Sequence, residues 1–338
     1  MYPIKSLRGT AISEAELSKH GFLYDRRFMI LKVHRAEPAS STGLHYENMH
    51  VVRFPDMALF TAELDFPDEQ GDGGEIMVTH RPPGSGEPRS LTIPLQPDTA
   101  GLDEIDVVMH RSPTKAYRMS QRYNDWLSSC FGYEVVLAYL GEHRRPVLMS
   151  SPARSQSNGS WLSSIASNLP ILGATKQEED RITFADCAPF LIVSETSLNE
   201  ASARLSEGQE MDVTKFRPNV VVRGAESAWE EDFWAEIMLG DARLTLAQNC
   251  VRCVSINVDY ATGKPGLSEA GSIMKKLQRD RRVDVGHKYA PVFGRYGFLD
   301  LKDGGKRIAV GDTATVTKRN SEYTIFGMKT RMKPLERR

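Results

Sequence analysis

Short apolar runs separated by clusters of glycine, proline and aspartate fill residues 35–115, and this alternation limits the possible folds more than any other feature. The runs are Met57–Leu64, Glu75–Val78, Ser90–Leu95 and Ile105–Val108. Apolar-rich runs of this length between turn-forming clusters are typical of β-strands, and their spacing predicts a small barrel or sandwich. The region carries no catalytic motif, and the isolated His80 and His110 are expected to be structural.

The length of 338 residues indicates two domains. The chain has 43 Lys+Arg against 44 Asp+Glu, a net charge of −1, which argues against a nucleic-acid partner. No run of 18 or more apolar residues and no export signal is evident, so the chain as given is expected in the cytoplasm. Four cysteines in a chain of this length do not suggest a disulfide framework.

A polar, serine-rich stretch divides the chain and predicts its domain boundaries. The first domain is expected over residues 1–145 and the second over 181–320, with a linker or loop at 146–180 and a basic tail at 321–338. The second domain mixes strand-like runs such as Pro189–Val193 with helix-like segments. One of these helix-like segments, Ser268–Arg282, ends in a run of lysines and arginines.

Two cysteines stand close together in the segment Leu239–Gly263. The strand-like run Arg243–Leu246 precedes Cys250 and Cys253, and the β-rich run Val254–Val258 follows them. Zinc would need two more ligands, a thioredoxin-type dithiol would open a helix, and two buried thiols would have no chemistry. The fourth interpretation is a single soft thiolate ligand, which the adjacent Arg252 would favour by lowering the cysteine pKa. The residues alone leave these four open.

Other catalytic signatures are missing from the sequence. It contains no HExxH, GxSxG, GxxxxGK[ST] or GxGxxG motif, which argues against zincin, α/β-hydrolase, P-loop and Rossmann chemistry. Near the N-terminus, Lys5, Arg8, Arg26 and Arg27 are either solvated surface cations or parts of an anion site, because Lys5 and Arg26 lie at predicted strand ends.

Several motifs, in order, resemble the molybdenum cofactor sulfurase C-terminal (MOSC) family, and within it the branch of the mitochondrial amidoxime-reducing component. They are YPIKSLRG, YDRRF, FRPNVVV, EEDFW, and CVRC followed by VDYATG. The resemblance implies a mixed, mainly β fold: an N-terminal MOSC β-barrel, a C-terminal MOSC β-barrel domain with a few helices, and a cofactor cleft between them. It also implies that residues 1–27 pack with the second domain.

The resemblance implies the molybdenum–molybdopterin cofactor (Moco), with Cys253 as the catalytic residue and metal ligand. The implied cofactor contacts are Lys5, Ser6, Arg26, Asp186, Cys187, Ala188, Arg217, Asn219, Val251, Arg252 and Tyr296. Relatives usually carry hydroxyl residues where this chain has Cys187 and Ala188, and serine where it has Val251, so pterin contacts there would rest on backbone groups.

The implied activity is removal of oxygen from N-hydroxylated compounds such as amidoximes and hydroxylamines. Electrons would come from a cytochrome b5-type donor and its flavin reductase, since the chain has no haem, flavin or iron–sulfur motif. The basic end of Ser268–Arg282 is a candidate docking surface. Alternatives are a cofactor-binding, sulfur-carrier module without turnover, and an outer mitochondrial membrane location if an anchor is missing. We expect a monomer; pyridoxal phosphate binding is a further association of the family.

Overall fold

The computed structural model describes residues 1–35, 44–67, 73–148 and 180–327. Most of the predicted linker at 146–180, and residues 328–338 of the predicted tail, lie outside the described residues. The fold is mainly β, with 18% of the chain helical, which confirms the predicted class. No helix within the described ranges is both long enough and apolar enough to cross a membrane.

The N-terminal region forms a nearly closed barrel. Its elements are β1 (Glu14–Ser18), β2 (Gly21–Phe22), β3 (Phe28–Arg35), β4 (Leu44–Asn48), β5 (Phe60–Asp65), β6 (Glu75–His80), β7 (Arg89–Pro94), β8 (Glu104–Met109), β9 (Ser112–Arg118), α1 (Gln121–Phe131), β10 (Val135–Tyr139) and β11 (Arg145–Pro146). A five-stranded sheet runs β4-β3-β10-β9-β8, and a three-stranded sheet runs β5-β6-β7. The four apolar runs identified in the sequence therefore correspond to strands β5 to β8, and the first three residues of Met57–Leu64 belong to the 3-10 turn Pro55–Leu59.

The barrel core explains how α1 is held. Apolar side chains from both sheets and α1, including Phe28, Phe60 and Leu127, make one buried cluster. On α1, Asn124 is buried and its Oδ1 accepts a hydrogen bond from the backbone N–H of Leu137, 2.9 Å away. The helix ends where Gly132 takes a left-handed conformation, a common helix stop.

The C-terminal region forms a half-barrel sheet. Its elements are β12 (Arg181–Ile182), β13 (Phe190–Ser194), α2 (Glu195–Ala203), β14 (Val220–Val222), β15 (Trp234–Leu239), β16 (Ala242–Val251), β17 (Val258–Asp259), β18 (Lys264–Pro265), α3 (Ile273–Leu277), β19 (Val292–Leu299), β20 (Arg307–Ala309) and β21 (Ala314–Arg319). Six strands run β14-β13-β19-β16-β15-β21, with only the β13–β14 pair parallel. This places β19 between β13 and β16, so the segments carrying Asp186, Tyr296 and Cys250 are neighbours.

The N-terminal segment contributes to both cores. Ile4 and Leu7 pack in the barrel core, whereas Leu17 and Phe22 pack against the six-stranded sheet. β1 also pairs with β20, from the far end of the chain. Residues 1–27 therefore link the two halves, and their loops reach the region where the halves meet.

Two predicted elements differ from the structure. The β-rich run Val254–Val258 forms a 3-10 turn over Val254–Asn257, because only Ile256 and Val258 find a core while Val254 stays exposed. The predicted helix Ser268–Arg282 is reduced to a 3-10 turn at Glu269–Ser272 and the short α3. A Cβ at Gly271 would collide with the carbonyl of Gly266, so the chain crosses itself closely just before α3 begins.

Candidate functional site

The two cysteines of the CxxC motif lie in different environments. Cys250 is buried near the end of β16, whereas Cys253 is exposed and immediately precedes the 3-10 turn. The Sγ of Cys253 lies 3.1 Å from the Oγ of Ser255. The hypothesis of two buried thiols is therefore wrong for Cys253, whose sulfur is accessible to a ligand.

The other two interpretations of the motif also receive little support. The described residues contain no group of three or more His, Cys, Asp or Glu side chains arranged to hold a metal ion. The motif opens a four-residue 3-10 turn rather than the α-helix that a thioredoxin-type dithiol uses. A single thiolate ligand at Cys253 is the interpretation most compatible with this geometry.

The guanidinium of Arg252 forms its hydrogen bonds with Cys250 and Phe216. Its Nη1 donates to Cys250 Sγ at 2.8 Å, and its Nη2 donates to the carbonyl of Phe216 at 2.7 Å. The side chain turns toward β16, but it lies near enough to Cys253 for the two groups to interact electrostatically. The expectation that Arg252 favours a thiolate at Cys253 stays a prediction. Arg252 is buried, its Nε lacks a partner, and no described carboxylate lies within ion-pair distance of it.

Tyr296 and two thiols, one buried and one partly buried, lie beside Arg252. Tyr296 lies near enough to Cys187 and Cys250 to affect the pKa of both thiols. Burial raises the pKa of Cys187 to about 12 and also raises the pKa of Cys250. Burial, reinforced by the two cysteines, holds the pKa of Tyr296 well above its usual value. These three groups stay protonated at neutral pH and can act as hydrogen-bond donors.

Arg26 and Arg217 both contact the ring of Tyr2. The guanidinium carbons of Arg26 and Arg217 lie 4.9 Å and 4.4 Å from the centroid of the Tyr2 ring. Arg26 Nη2 also donates to the carbonyl of Arg217 at 3.2 Å, and Arg217 Nη1 donates to the carbonyl of Leu7 at 2.5 Å. Two cations from distant parts of the chain are thus held close together.

Asn219 fixes this arrangement. Its Nδ2 donates to Asp25 at 3.1 Å, and its Oδ1 accepts from Arg26 at 3.2 Å and from the backbone N–H of Leu191 at 3.1 Å. Asp25 pairs with Arg26. Arg217 has no carboxylate partner among the described residues; burial, and then the nearby Arg26, lower its pKa.

Lys5 lies buried beside Asp186. Its Nζ pairs with the Asp186 carboxylate and donates to the carbonyl of Phe184 at 3.2 Å. Burial lowers the pKa of Lys5, and Asp186 opposes this. The surrounding protein would raise the pKa of Asp186, but Lys5 and His110 outweigh it and hold that pKa well below its usual range. The Asp186 side chain is nevertheless 55% exposed, so an ionised oxygen faces solvent.

Three of the sequence-predicted site residues have unusual backbone conformations. Ser6, Arg26 and Arg217 have φ angles of 68°, 51° and 57°, in the left-handed region that non-glycine residues seldom adopt. Ser6 is buried, and its Oγ lies 3.5 Å from the carbonyl of Met49. Such conformations cost roughly 1–3 kcal/mol each and concentrate at functional sites. Their coincidence at three candidate residues supports a binding role here.

Ala188 and Val251 offer only backbone to this region. Ala188 is buried in a small apolar cluster with Phe298 and Phe326. Val251 is partly buried and pairs with Val292 across the sheet. Any ligand contact at these two positions would come from their N–H or C=O groups, as the sequence led us to expect.

Sequence reasoning missed several residues of the site. His110, predicted to be only structural, places Nε2 3.4 Å from Asp186. Arg145 is fully buried and donates from Nε to the carbonyl of Thr183 at 3.0 Å and from Nη2 to that of Asp186 at 2.6 Å. Tyr2 was available within the YPIKSLRG motif, whereas no local signal distinguishes Arg145 or His110.

The charge balance of the site favours an anionic ligand. Its cations are Lys5, Arg26, Arg145, Arg217 and Arg252, and its carboxylates are Asp25 and Asp186. Buried charges without partners are costly, so proteins retain them where a ligand supplies the opposite charge. The excess of cations therefore indicates a site for a multiply charged anion next to an exposed thiol.

Two sequence-family profiles match the chain and together cover most of it. The profile of the MOSC N-terminal beta barrel domain matches residues 1–134, and that of the MOSC domain matches residues 179–315. The chain belongs to the MOSC family. The nearly closed barrel and the half-barrel sheet correspond to these two MOSC domains.

Similar proteins within the MOSC family carry names that refer to molybdenum or to amidoxime reduction. Mitochondrial amidoxime-reducing component 1 of Mus musculus is 24% identical over 309 residues, 89% of this chain and 76% of that protein. Its Homo sapiens counterpart is 34% identical over 126 residues, 36% of each chain. Molybdenum cofactor sulfurase of Oryza sativa is 22% identical over 291 residues, 78% of this chain but 28% of that protein.

The residues of this MOSC chain fit a molybdenum cofactor. Soft, high-valent metals favour thiolate ligands, and Cys253 presents an exposed sulfur. A phosphate-bearing organic chelator needs cationic donors, and Arg217 and Arg252 are cations without carboxylate partners among the described residues. The orphaned Nε of Arg252 is a further donor available to such a group.

Proposed function

We propose that this MOSC protein binds the molybdenum–molybdopterin cofactor between its two halves. Cys253 would be the protein ligand to the metal. Lys5, Ser6, Arg26, Arg217 and Asn219 would hold the anionic part of the cofactor, and the remaining contacts would come from Asp186, Cys187, Ala188, Val251, Arg252 and Tyr296. The observation that carries the proposal is the exposed Cys253 sulfur in one region with cations that lack carboxylate partners.

The activity that we propose is the reduction of N-hydroxylated compounds, amidoximes and hydroxylamines, to amidines and amines. When bound, the cofactor supplies two-electron redox chemistry that removes oxygen from the N–OH group. The overall reaction consumes two electrons and two protons and releases water. The chain's own contribution is to hold the cofactor rigidly, because the strained backbone at Arg26 and Arg217 fixes their guanidinium groups before binding.

The electrons would come from an external donor, and we propose a cytochrome b5-type protein with its flavin reductase. Within Ser268–Arg282, the candidate docking segment, fewer basic side chains are available to a partner than the sequence suggests. Lys276 donates to the carbonyl of Arg204 at 2.7 Å, and Arg281 is buried in a pair with Asp232 at 2.5 Å. Lys275, Arg279 and Arg282 remain exposed. The names of the mouse and human relatives favour the mitochondrial location over the cytoplasmic one.

A cofactor-binding, sulfur-carrier module is the second candidate. It is supported by the similarity to the rice molybdenum cofactor sulfurase, which spans 78% of this chain. The same residues would bind the same cofactor, but no N-hydroxylated substrate would be turned over.

One experiment separates the two functions. The protein is purified from a host that makes the cofactor, its molybdenum content per chain is measured, and it is given a chemical reductant with benzamidoxime. Molybdenum near one per chain with benzamidine formation supports the reductase. Molybdenum without benzamidine supports the carrier, and a chain without molybdenum contradicts both.

A further inference from the structure

Two cations that the cofactor site does not use stack on a single aromatic ring. The guanidinium carbon of Arg8 lies 4.4 Å from the centroid of the Tyr260 ring, and the Nζ of Lys215 lies 5.5 Å from it. Arg8 belongs to the N-terminal segment, Lys215 to the 3-10 turn Val213–Phe216, and Tyr260 follows β17. Three separate segments thus place two positive charges on one ring.

Neither cation has an anionic partner in the part of the chain that the structure describes. No carboxylate lies within ion-pair distance of Arg8 or Lys215, and no side-chain hydrogen bond joins either to another described residue. The acidic groups that influence Lys215 are Asp212 and Asp259. Both already accept hydrogen bonds locally, Asp212 from the N–H of Thr214 at 2.8 Å and Asp259 from the N–H of Ala261 at 2.7 Å.

The chemistry of these side chains points to a planar anion. An arginine stacked on an aromatic ring keeps its in-plane N–H groups free, and their fork matches the two oxygens of a carboxylate. A lysine adds a point charge beside it. Both side chains are only partly exposed, so their attraction to an anion is less screened than at an open surface. Burial lowers the pKa of Lys215, and an arriving anion would reverse that effect.

This cation pair is next to the cofactor site and separate from it. Tyr260 lies near enough to Arg217 and to Tyr2 to affect the pKa of each. Arg217 itself contacts Leu7, the residue before Arg8. The turn Val213–Phe216, which carries Lys215, also contacts the turn Val254–Asn257 that follows Cys253.

We propose that Arg8 and Lys215, supported by the ring of Tyr260, form a carboxylate-binding subsite that selects N-hydroxylated substrates bearing a carboxylate. This inference rests on the proposed reductase function. A substrate carboxylate and the phosphate of the cofactor are both oxyanions that a guanidinium and an ammonium group could bind. The experiment must therefore distinguish these two ligands.

The test compares benzamidoxime with 4-carboxybenzamidoxime, which differ by one negative charge. For the wild-type protein we expect a KM about tenfold lower for the carboxylate substrate, equivalent to about 1.4 kcal/mol. In Arg8→Gln and in Lys215→Gln this ratio of KM values falls toward one. Arg223→Gln, which removes an exposed arginine paired with Glu195 elsewhere, keeps the wild-type ratio.

Three outcomes overturn the subsite. They are equal KM values in the wild type, an equal rise of both KM values in Arg8→Gln, and loss of molybdenum and pterin from Arg8→Gln, which would assign the pair to the cofactor phosphate.

If molybdenum is stoichiometric and neither substrate is reduced, the reductase proposal fails separately. Calorimetric binding of 4-amidinobenzoate and benzamidine then tests the subsite. We expect 4-amidinobenzoate to bind about tenfold tighter in the wild type, and equally in Arg8→Gln. Equal binding of the two compounds by the wild type overturns the subsite.

Discussion

Arg252 donates from Nη1 to the sulfur of Cys250 at 2.8 Å, so the first cysteine of the motif holds the arginine while the second stands exposed. The same guanidinium donates to the carbonyl of Phe216, the residue before Arg217. Arg252 therefore connects the end of β16 to the turn that carries another candidate cofactor contact. The cysteine motif and the FRPN motif are positioned relative to each other through this one side chain.

Replacement of Arg252 by lysine should weaken cofactor retention. One ammonium group cannot reproduce the two directions in which the planar guanidinium donates, so the turn at Phe216 loses its connection to Cys250. We expect the affinity for the cofactor to fall about tenfold, which corresponds to about 1.4 kcal/mol of binding free energy, and molybdenum per chain to fall with it. The exposed Arg223→Lys serves as the control. Unchanged molybdenum in Arg252→Lys would show that this connection is not needed.

The role of the N-terminal segment in the second core can be measured by stability. Leu17 is fully buried against the six-stranded sheet, although it lies near the start of the chain. Leu17→Ala should lower the free energy of unfolding by about 2–5 kcal/mol. Leu44→Ala, at a position 49% exposed, should have little effect in the same denaturant titration. A small effect at Leu17 would mean that residues 1–27 do not stabilise that core.

Asp186 should make part of the stability depend on pH. Its pKa in the folded chain lies well below the value of about 3.9 for an unfolded aspartate. Its contribution is therefore complete above the unfolded-state pKa and is lost as the pH falls through the folded-state pKa. Asp186→Asn should be less stable than the wild type at pH 6, and the difference should shrink below pH ~4. Denaturant titrations of the cofactor-free chain across this range would show it; a constant difference would contradict the assigned pKa shift.

The buried pair of Asp232 and Arg281 offers a contrast with an exposed pair. Both side chains are almost completely buried, so Asp232→Ala leaves an uncompensated buried cation. We expect a loss of about 3–5 kcal/mol in the free energy of unfolding. Asp280→Ala removes the more exposed partner of Arg204 and should cost about 0–1 kcal/mol. Equal losses from the two variants would contradict the assigned burial.

Features that depend on local pattern could be predicted from the sequence. The apolar runs between residues 57 and 108 became strands β5 to β8, apart from Met57–Leu59, which belong to a 3-10 turn. The run Val254–Val258 was wrongly predicted to be β-like. Its β-branched residues form a turn because only Ile256 and Val258 are buried in a core. α3 is short because of the close approach of Gly266 and Gly271, a contact that hydrophobic periodicity does not reveal.

Contacts between distant segments could not be predicted from the residues alone. The direction of Arg252 depends on the carbonyl of Phe216, and the role of His110 depends on Asp186, which lies on the other side of the predicted linker. The family resemblance proposed Arg26 and Arg217 as site residues, but only the structure shows that they share Tyr2 and a left-handed backbone conformation.

We propose that the sulfur of Cys253 is the only protein ligand to the metal. X-ray absorption at the molybdenum edge of the purified protein measures the sulfur ligands directly. We predict that Cys253→Ser loses one sulfur ligand, or the metal altogether, while Cys250→Ser keeps the wild-type spectrum. Loss of a sulfur ligand in Cys250→Ser, or an unchanged spectrum in Cys253→Ser, would contradict the assignment.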